Sequence, residues 1–350
     1  MDFNINRLVL LDALTKVSRA VSLKSPLPIL TGIKFDLLED GLVLTASDSD
    51  ISIQTTINEG IIINQPGSVV LSSKYILEII RKIDGETVHI QVVDGTMTRI
   101  TSESSLFDLN GSKSFDFPRI DLNKNGKHFA MKSYDFKKLV EKTLFATSEK
   151  ETRPVLTGVN FKADQHQLVC IATDSYRLAQ VSQSIDDDIQ FNIIIPKKSL
   201  NEIIHIIEKD DMIDLYVSER KVLFVIGDYL VLTRLIDGTY PNTSRLVEDH
   251  GSNTMSINSS ALLGAISRAS LLSDEQTNIV KLTMSPDENI LSSYSQEIGS
   301  VEENLTKAFY KGEPMTISFS AKYLADAIRS IGTETIQLRF TEKIPDYWIE

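Results

Sequence analysis

Cysteine is almost absent from this chain of 350 residues, in which Cys170 is the only thiol. A single cysteine excludes an internal disulfide, so no disulfide framework is expected to hold the fold together. Its neighbours, Leu168, Val169 and Ile171, predict an apolar strand in which the thiol is buried and inert. We expect no secretion signal at the start of the chain, and together with the lone thiol this favours the cytoplasm.

Long apolar runs and catalytic motifs are also missing. No stretch approaches the roughly 18 consecutive apolar residues of a membrane span. The five histidines are scattered, and none has the spacing of a zinc site. Neither a glycine-rich phosphate-binding loop nor a Gly-x-Ser-x-Gly elbow occurs. The sequence therefore predicts no metal, no cofactor and no catalytic residue, and a binding role is favoured over an enzyme.

One acidic feature keeps a second class of function open. Asp48 and Asp50 flank a serine, and Asp174 precedes a serine in a similar segment. Paired carboxylates of this kind would suit a cation site in a carboxylate-dependent nuclease. The alternative is a turn at a strand end, where Asp and Ser side chains cap their own backbone. We favour the turn because the corresponding segment near Ser292 contains no aspartate.

What the chain does have is internal repetition. Three residues with one spacing recur every 124 residues, as Lys74, Glu78 and Arg81, then Lys198, Glu202 and His205, then Lys322, Asp326 and Arg329. The aliphatic residues between them follow helical spacing, so each copy predicts an amphipathic helix. Pro28–Phe35 recurs at Pro154–Phe161, and Val17–Ala20 resembles Ile266–Ala269. A period near 125 residues is the size of a domain, which predicts three homologous domains at 1–125, 126–250 and 251–350.

Each repeat combines two helical segments with about eight short segments of strand pattern. The predicted helices are 6–22, 72–83, 134–148, 196–207, 258–273 and 319–331. This composition predicts the α+β class, with the two helices of each domain packed on a mostly antiparallel sheet.

Charge is distributed unevenly between these helices and the rest of the chain. The net charge of −12 argues against nucleic acid as a partner, but lysine and arginine exceed aspartate and glutamate by 8 within the six predicted helices. The remainder of the chain therefore carries −20. Helices whose charged faces lie on one side would form a basic surface on an acidic body. The alternative is that these lysines only solvate their own helices.

Several motifs, in order along the chain, are similar to those of a known family. They are Leu27–Gly32, Ser47–Asp50, Arg153–Val159, Ala172–Leu178 and Asp237–Pro241. Together they resemble the bacterial DNA polymerase III beta subunit, the replicative sliding clamp, in its Firmicute form, over nearly all of residues 1 to about 341. The resemblance implies a non-catalytic processivity factor. Two three-domain chains would form a homodimeric six-domain ring, lined by helices, around double-stranded DNA that it holds without reading the sequence.

The resemblance also implies three sets of site residues. The DNA-facing set is Lys24, Lys74, Arg81, Lys150, Lys197 and Lys198. A pocket for short linear motifs of the DNA polymerase III catalytic subunit, the clamp loader and repair proteins would contain Leu156, Thr173, Ser175, Tyr176, Arg177, Leu178, Pro241, Arg245 and Leu246. The dimer interface would join Phe107 and Leu109 of one subunit to Leu271 and Leu272 of the other.

The third repeat departs from this pattern in length. From Lys74 to Pro118 is 44 residues and from Lys198 to Pro241 is 43, but only 28 residues follow Lys322. We therefore expect a C-terminally shortened third domain that ends before its final strand, with one wall of the peptide pocket missing or replaced. A divergent accessory clamp with weakened partner binding is the alternative that this leaves open.

Overall fold

The computed structural model describes residues 1–22, 24–247, 251–273, 278–341 and 347–349. The chain divides into two compact units. Unit 1 comprises Met1–Val140, Thr147–Ala172 and Gln180–Gly238. Unit 2 comprises Glu141–Ala146, Thr173–Ala179 and Thr239–Glu350. Two short segments of the second repeat are thus grouped with the third repeat.

The first repeat begins with a strand whose end caps a helix. The Asn6 side chain accepts hydrogen bonds from the backbone N–H groups of Leu8 and Val9, which starts α1. Its helices are α1 (Arg7–Val17) and α2 (Ser73–Lys82). Its strands are β1 (Asp2–Asn6), β2 (Gly32–Leu37), β3 (Leu42–Ser47), β4 (Ile51–Ile57), β5 (Ile61–Gln65), β6 (Gly67–Ser72), β7 (Thr87–Asp94), β8 (Met97–Thr101) and β9 (Leu106–Asn110).

The second repeat follows the same order of elements. Its helices are α3 (Ser133–Glu141) and α4 (Lys197–Ile206). Its strands are β10 (Lys127–Lys132), β11 (Gly158–Asp164), β12 (Gln167–Thr173), β13 (Leu178–Ser184), β14 (Phe191–Pro196), β15 (Met212–Val217), β16 (Lys221–Ile226) and β17 (Tyr229–Arg234). Cys170 on β12 is fully buried and burial raises the pKa of its thiol, as expected for an inert side chain.

The third repeat is preceded by a one-turn helix, α5 (Ser244–Val247), that the sequence did not predict. Its long helices are α6 (Ser259–Ala269) and α7 (Ala321–Ile331). Its strands are β18 (Asn253–Asn258), β19 (Ile279–Met284), β20 (Asn289–Ser295), β21 (Gly299–Asn304), β22 (Phe309–Lys311), β23 (Met315–Ser320), β24 (Thr335–Phe340) and β25 (Tyr347–Ile349). The core of unit 2 forms where Leu262 and Ile266 of α6 and Leu324 of α7 pack with the inward side chains of these strands.

The strand pairs whose register the structure describes are antiparallel, and one sheet crosses from the second repeat to the first. Its order is β10-β15-β16-β17-β4-β3-β2-β6. At the junction β17 pairs with β4, and Val231 lies opposite Ile53. The other sheets are β5-β1-β7-β8-β9, β13-β12-β11-β14, β22-β18-β24-β25 and β21-β20-β19-β23. The predicted α+β class with three similar domains is confirmed.

The six predicted helices are all present, and each is shorter than its predicted range. Three of them, α1, α3 and α6, are followed by a 3-10 turn at Ser18–Ala20, Leu144–Ala146 and Ser270–Leu272. The structure also corrects the predicted match between Val17–Ala20 and Ile266–Ala269. Asn6 caps α1 and Asn258 caps α6. When the two helices are aligned at these caps, Lys16 is equivalent to Arg268, so the predicted match is out of register.

The proposed domain boundaries stay a prediction. At the predicted boundary between the second and third domains, Asp249 and His250 lie outside the described residues. In the segment that we expected to end early, Tyr347–Ile349 forms β25, which pairs with β24 as β16 pairs with β15. The neighbouring positions 342–346 and 350 lie outside the described residues. Among the described residues, no helix is long and apolar enough to cross a membrane.

Candidate DNA-facing and partner-binding sites

The acidic residue in the middle of each repeated helix triplet has a different set of basic partners. Glu78 on α2 pairs with Arg81 and Lys82 of its own helix. Glu202 on α4 accepts from Arg19, which follows α1, at 3.0 Å. Asp326 on α7 lies 3.5 Å from Arg329 of its own helix, and its second carboxylate oxygen binds an arginine that lies far away in sequence and is described below. The repeated triplet is therefore not three copies of one solvated surface.

The predicted DNA-facing residues all belong to unit 1. Lys24, Lys74 and Lys150 are exposed. The Lys198 ammonium binds the carboxylate of Asp48 in the first repeat, and Lys197 binds Glu149. Lysines held by carboxylates offer less charge to a phosphate than lysines held by water, so the set is electrostatically uneven.

Two further basic residues of the first repeat join the repeats together. The Lys16 side chain is only 10% exposed, and its ammonium lies 2.8 Å from Glu208 and 2.9 Å from Asp12. Burial alone would lower the pKa of Lys16, but the hydrogen bonds with Glu208 and Asp12 outweigh it and raise that pKa. The charge count of the first predicted helix included Lys16 and Arg19, but both lie at the junction of the first two repeats, where they pair with Glu208 and Glu202.

The aspartate–serine segments form the same tight turn in two repeats. The Asp48 carboxylate accepts the backbone N–H groups of Asp50 and Ile51 through one oxygen. Asp174 accepts those of Tyr176 and Arg177 in the same manner. The serine after each aspartate has a positive φ, 85° and 79°. These hydrogen bonds are those of a turn in which aspartate caps its own backbone. Among the described residues, no group of three or more His, Cys, Asp or Glu side chains could hold a metal ion.

Arg177 is the most constrained charged side chain of this turn. Its Nε donates to Asp174 Oδ2 at 3.1 Å, and its Nη1 donates to Asp326 Oδ2 at 3.0 Å. The guanidinium carbon lies 4.2 Å from the ring centre of Tyr323 and 5.3 Å from that of Phe145. With 16% of the side chain exposed, Arg177 ties the turn at 173–178 to α7.

The backbone of the same turn is fixed by Tyr240. The hydroxyl of Tyr240 accepts the buried backbone N–H of Thr173 at 2.9 Å, and burial raises the pKa of Tyr240 to about 12. Thr173 Oγ1 donates to the Arg177 carbonyl at 2.6 Å. Hydrogen bonds therefore hold both ends of the turn at 173–178. Tyr176, which lies within this turn, is 77% exposed.

Other predicted pocket residues of unit 2 lie near the end of the described chain. Leu246 on α5 is 57% exposed, and its carbonyl accepts the indole N–H of Trp348 at 3.2 Å. Ser175, Leu178 and Pro241 are exposed or partly exposed. Trp348 therefore supports α5, a contact that the sequence analysis missed.

Two predicted pocket residues are not placed with this group. Leu156 is buried in unit 1, in a 3-10 turn at Pro154–Thr157. Arg245 is part of α5, but its side chain lies outside the described ones. Their membership of the pocket stays a prediction.

The residues predicted at a dimer interface are exposed or partly exposed apolar side chains. Phe107 and Leu109 lie on β9, the edge strand of its sheet, and Phe107 is 38% exposed. Leu271, in the 3-10 turn after α6, is 74% exposed, and Leu272 beside it is partly buried. Isolated apolar residues on a surface are ordinary, but an apolar edge strand invites pairing with another strand.

Comparison with known proteins agrees with this architecture. The DNA polymerase III beta subunit models match residues 1–121 (N-terminal domain), 130–242 (central domain) and 245–349 (C-terminal domain). The chain belongs to the DNA polymerase III beta subunit family. Its function is accordingly that of a DNA sliding clamp in replication, and it is a non-catalytic processivity factor.

Individual relatives show how close the similarity is. The beta sliding clamp of Bacillus subtilis (strain 168) is 39% identical over 352 residues, covering 97% of this chain and 93% of the relative. The crystal structure of the Bacillus subtilis clamp matches with a TM-score of 0.95 at 38% identity, covering 100% of this chain and 95% of that one. A sliding clamp of Bartonella birtlesii, solved bound to griselimycin, matches with a TM-score of 0.94 at 26% identity, with coverage of 100% and 95%. The Firmicute-like resemblance is confirmed, and a dimeric ring is standard for this family.

Proposed function

We propose that two copies of this chain encircle duplex DNA and tether polymerase and other motif-bearing proteins to it. The observation that supports this most strongly is the pairing of β17 with β4, since it shows how one repeat closes against the next through a shared sheet. In the first repeat β9 corresponds to β17, and in the third repeat β21 corresponds to β4. Both β9 and β21 are edge strands of their sheets. We also expect a cytoplasmic location, because the protein would bind DNA and replication proteins there.

The dimer contact follows from this internal junction. Phe107 lies opposite Ile100 on β8 as Val231 lies opposite Phe224 on β16. Val301 lies opposite Ser293 on β20 as Ile53 lies opposite Ala46 on β3. Since Val231 faces Ile53 across the internal junction, Phe107 would face Val301 of the partner subunit. The contact would be antiparallel and apolar.

The turn after α6 supports the same contact. With α1 and α6 aligned through their capping asparagines, Leu271 takes the position of Arg19 and Leu272 that of Ala20. In the first repeat this position lies against α4 of the second repeat, where Arg19 meets Glu202. Leu271 and Leu272 would therefore meet α2 of the partner subunit. Head-to-tail contacts of this kind close into a ring when the rotation between subunits permits it.

Diffuse attraction to lysine and arginine would position the DNA, and the closed ring around it would retain it. We assign this role to Lys24, Lys74, Arg81, Lys150, Lys197 and Lys198. Attraction to phosphates alone is independent of sequence and weakens steeply with salt. The acidic remainder of the surface would disfavour a second duplex on the outside.

Partner proteins would bind through a short motif with apolar anchors. The exposed faces of Tyr176 and Leu246, with the partly exposed Leu178 and Pro241, offer apolar surface beside a turn that is rigidly held. Peptide segments of the polymerase catalytic subunit, the clamp loader and repair proteins are the proposed ligands. Since the Bartonella birtlesii clamp was solved bound to griselimycin, we expect this chain to bind griselimycin as well.

The decisive experiment compares DNA of different topology. Sedimentation velocity first determines whether the chain is dimeric at the working concentration. Once loaded, the protein should stay on a closed circular plasmid during gel filtration in high salt and should leave the same plasmid after linearisation. A monomer, or equal loss from both forms, would rule out encirclement. Partner binding is measured with an acetylated, amidated peptide that contains a Leu-Phe pair, hereafter the probe peptide. A protein that encircles DNA but does not bind the probe peptide would favour the accessory clamp.

A further inference from the structure

The acid of the third helix triplet is set apart by the origin of its partner. Glu78 is neutralised within its own helix, and Glu202 is neutralised by Arg19 from another helix region. Asp326 also pairs within its own helix, with Arg329 at 3.5 Å, but its other carboxylate oxygen binds Arg177, which belongs to the turn in the predicted partner pocket. Three copies of one sequence position thus serve three different contacts. Only the third of these reaches the surface on which a partner would bind.

We propose that Asp326 is a positioning residue for the partner-peptide pocket, acting through Arg177, and that it is not a DNA-facing charge. This inference rests on the proposed function of the pocket. Asp326 itself lies on α7 between Lys322 and Arg329, in one of the six predicted helices whose net positive charge suggested a basic surface. One oxygen of its carboxylate lies 3.5 Å from Arg329, and the other lies 3.0 Å from Arg177 of the turn.

The geometry leaves Arg177 few other arrangements. Two carboxylates hold the edge of the guanidinium, at 3.1 Å for Asp174 and 3.0 Å for Asp326, and the guanidinium carbon lies over the rings of Tyr323 and Phe145. A planar guanidinium satisfies all four contacts at once, which the compact ammonium of a lysine does not. Removing Asp326 leaves one edge of a mostly buried cation without its carboxylate, so the side chain must turn toward water.

Movement of Arg177 is transmitted to the pocket by the backbone of the turn. The carbonyl of Arg177 accepts from Thr173 Oγ1, and its N–H donates to Asp174. Tyr176 immediately precedes Arg177 and Leu178 immediately follows it, so both apolar contact residues share its backbone. A displaced Arg177 therefore displaces the surface that a partner's anchor would touch.

The test measures peptide and DNA binding in the same variants. Asp326→Asn should weaken binding of the probe peptide by about five- to tenfold, measured by calorimetry. Its affinity for DNA should stay the same or rise, because a negative charge is lost. Glu78→Gln is the matched control, since it removes the acid at the same triplet position of α2. It should leave peptide affinity unchanged.

Two further variants protect this test against a folding defect. Asp326→Glu retains the carboxylate and should restore peptide affinity to within about twofold of wild type. Arg177→Lys retains the charge but not the planar contacts, and should reproduce the loss seen with Asp326→Asn. In the double variant the two losses should not add, because both break one contact.

The outcomes separate this inference from the proposed function. If the wild-type protein fails to bind the probe peptide, the pocket itself is refuted. If the wild type binds and Asp326→Asn binds equally well, or if Glu78→Gln weakens the peptide as much, the positioning role is refuted and the pocket stands. Lower DNA affinity in Asp326→Asn with unchanged peptide affinity would likewise overturn the assignment.

Discussion

The ammonium of Lys16 lies 2.8 Å from the carboxylate of Glu208, which links the first helix of the first repeat to the segment that follows α4 in the second. We expect Lys16→Met to lower the free energy of unfolding of unit 1 by about 1–2 kcal/mol, because Lys16 is largely buried whereas its acidic partners are more than half exposed and screened by water. Chemical denaturation at neutral pH measures this loss.

The same pair predicts a pH dependence of stability. Since the folded pKa of Lys16 is raised above its ordinary value of 10.5, its contribution is complete below pH 10.5 and is lost as the pH rises through the folded pKa. The difference in unfolding free energy between wild type and Lys16→Met should therefore shrink above pH 10.5. A difference that stays constant to high pH would contradict the role of the charged ammonium.

DNA binding should distinguish exposed lysines from paired ones. Lys74→Ala is expected to reduce DNA affinity and to lower the salt slope by about one, because one phosphate contact is lost. Lys198→Ala should have a smaller effect, since Asp48 already holds that ammonium. Fluorescence anisotropy with a short duplex over a salt series measures both. Lys16→Met is the control, and a loss as large as that of Lys74→Ala would show that the DNA-facing set is wrong.

The register of the dimer contact is testable by cross-linking. Phe107→Cys combined with Val301→Cys should yield a disulfide-linked dimer under mild oxidation, because directly opposed residues on paired strands bring their Cβ atoms within reach. Cys170 is buried and will not interfere. Leu109→Cys with Val301→Cys, two residues out of register, should cross-link far less on a non-reducing gel. Similar yields from both pairs would refute the register and leave dimerisation itself open to sedimentation.

The exposed aromatic of the turn should contribute to partner affinity alone. We expect Tyr176→Ala to weaken the probe peptide by about 1–2 kcal/mol, as is usual for an aromatic contact residue, without changing thermal stability. Calorimetry and thermal denaturation measure the two effects. Tyr294, 71% exposed in the third repeat, provides the matched control, and Tyr294→Ala should change neither. An unchanged peptide affinity in Tyr176→Ala would remove this residue from the pocket.

The Tyr240 hydroxyl should contribute to stability. Tyr240→Phe removes the acceptor of the buried Thr173 N–H and should cost about 1–3 kcal/mol of unfolding free energy in unit 2. Because the folded pKa is about 12 against an ordinary 10, wild-type stability should also fall as the pH rises from 10 toward 12. This alkaline loss should be smaller in Tyr240→Phe. Equal denaturation curves at neutral pH would show that the bond contributes nothing.

The helices were predictable because aliphatic residues at helical spacing recur in every repeat. Their contacts were not predictable, because counting charges does not reveal which side chains are buried. Lys16 and Arg19 were counted toward a basic surface, yet each meets a carboxylate of the second repeat. The short match between Val17–Ala20 and Ile266–Ala269 was a coincidence of four residues. The two capping asparagines, which are visible in the sequence, give the correct register.

The candidate site shows the same division between local and distant contacts. The turn at Asp174 was a local interpretation, since aspartate and serine at a strand end cap their own backbone, and the structure has this geometry. The role of Arg177 depends on Asp326, which is 149 residues further along the chain. No local pattern reports a contact over that distance. The same holds for Trp348 and the carbonyl of Leu246.

The pairing of β4 with β17 bears on how the chain is synthesised. Residues Ile51–Thr55 are made early, but their partners at Tyr229–Thr233 follow about 180 residues later. At ribosomal rates of about 5–20 residues per second, the edge of β4 stays uncovered for roughly 10–40 s. During that interval β4 can pair with β3, but its other edge stays unpaired and open to capture by another nascent copy. Slower translation lengthens the period during which this edge is uncovered on the polysome.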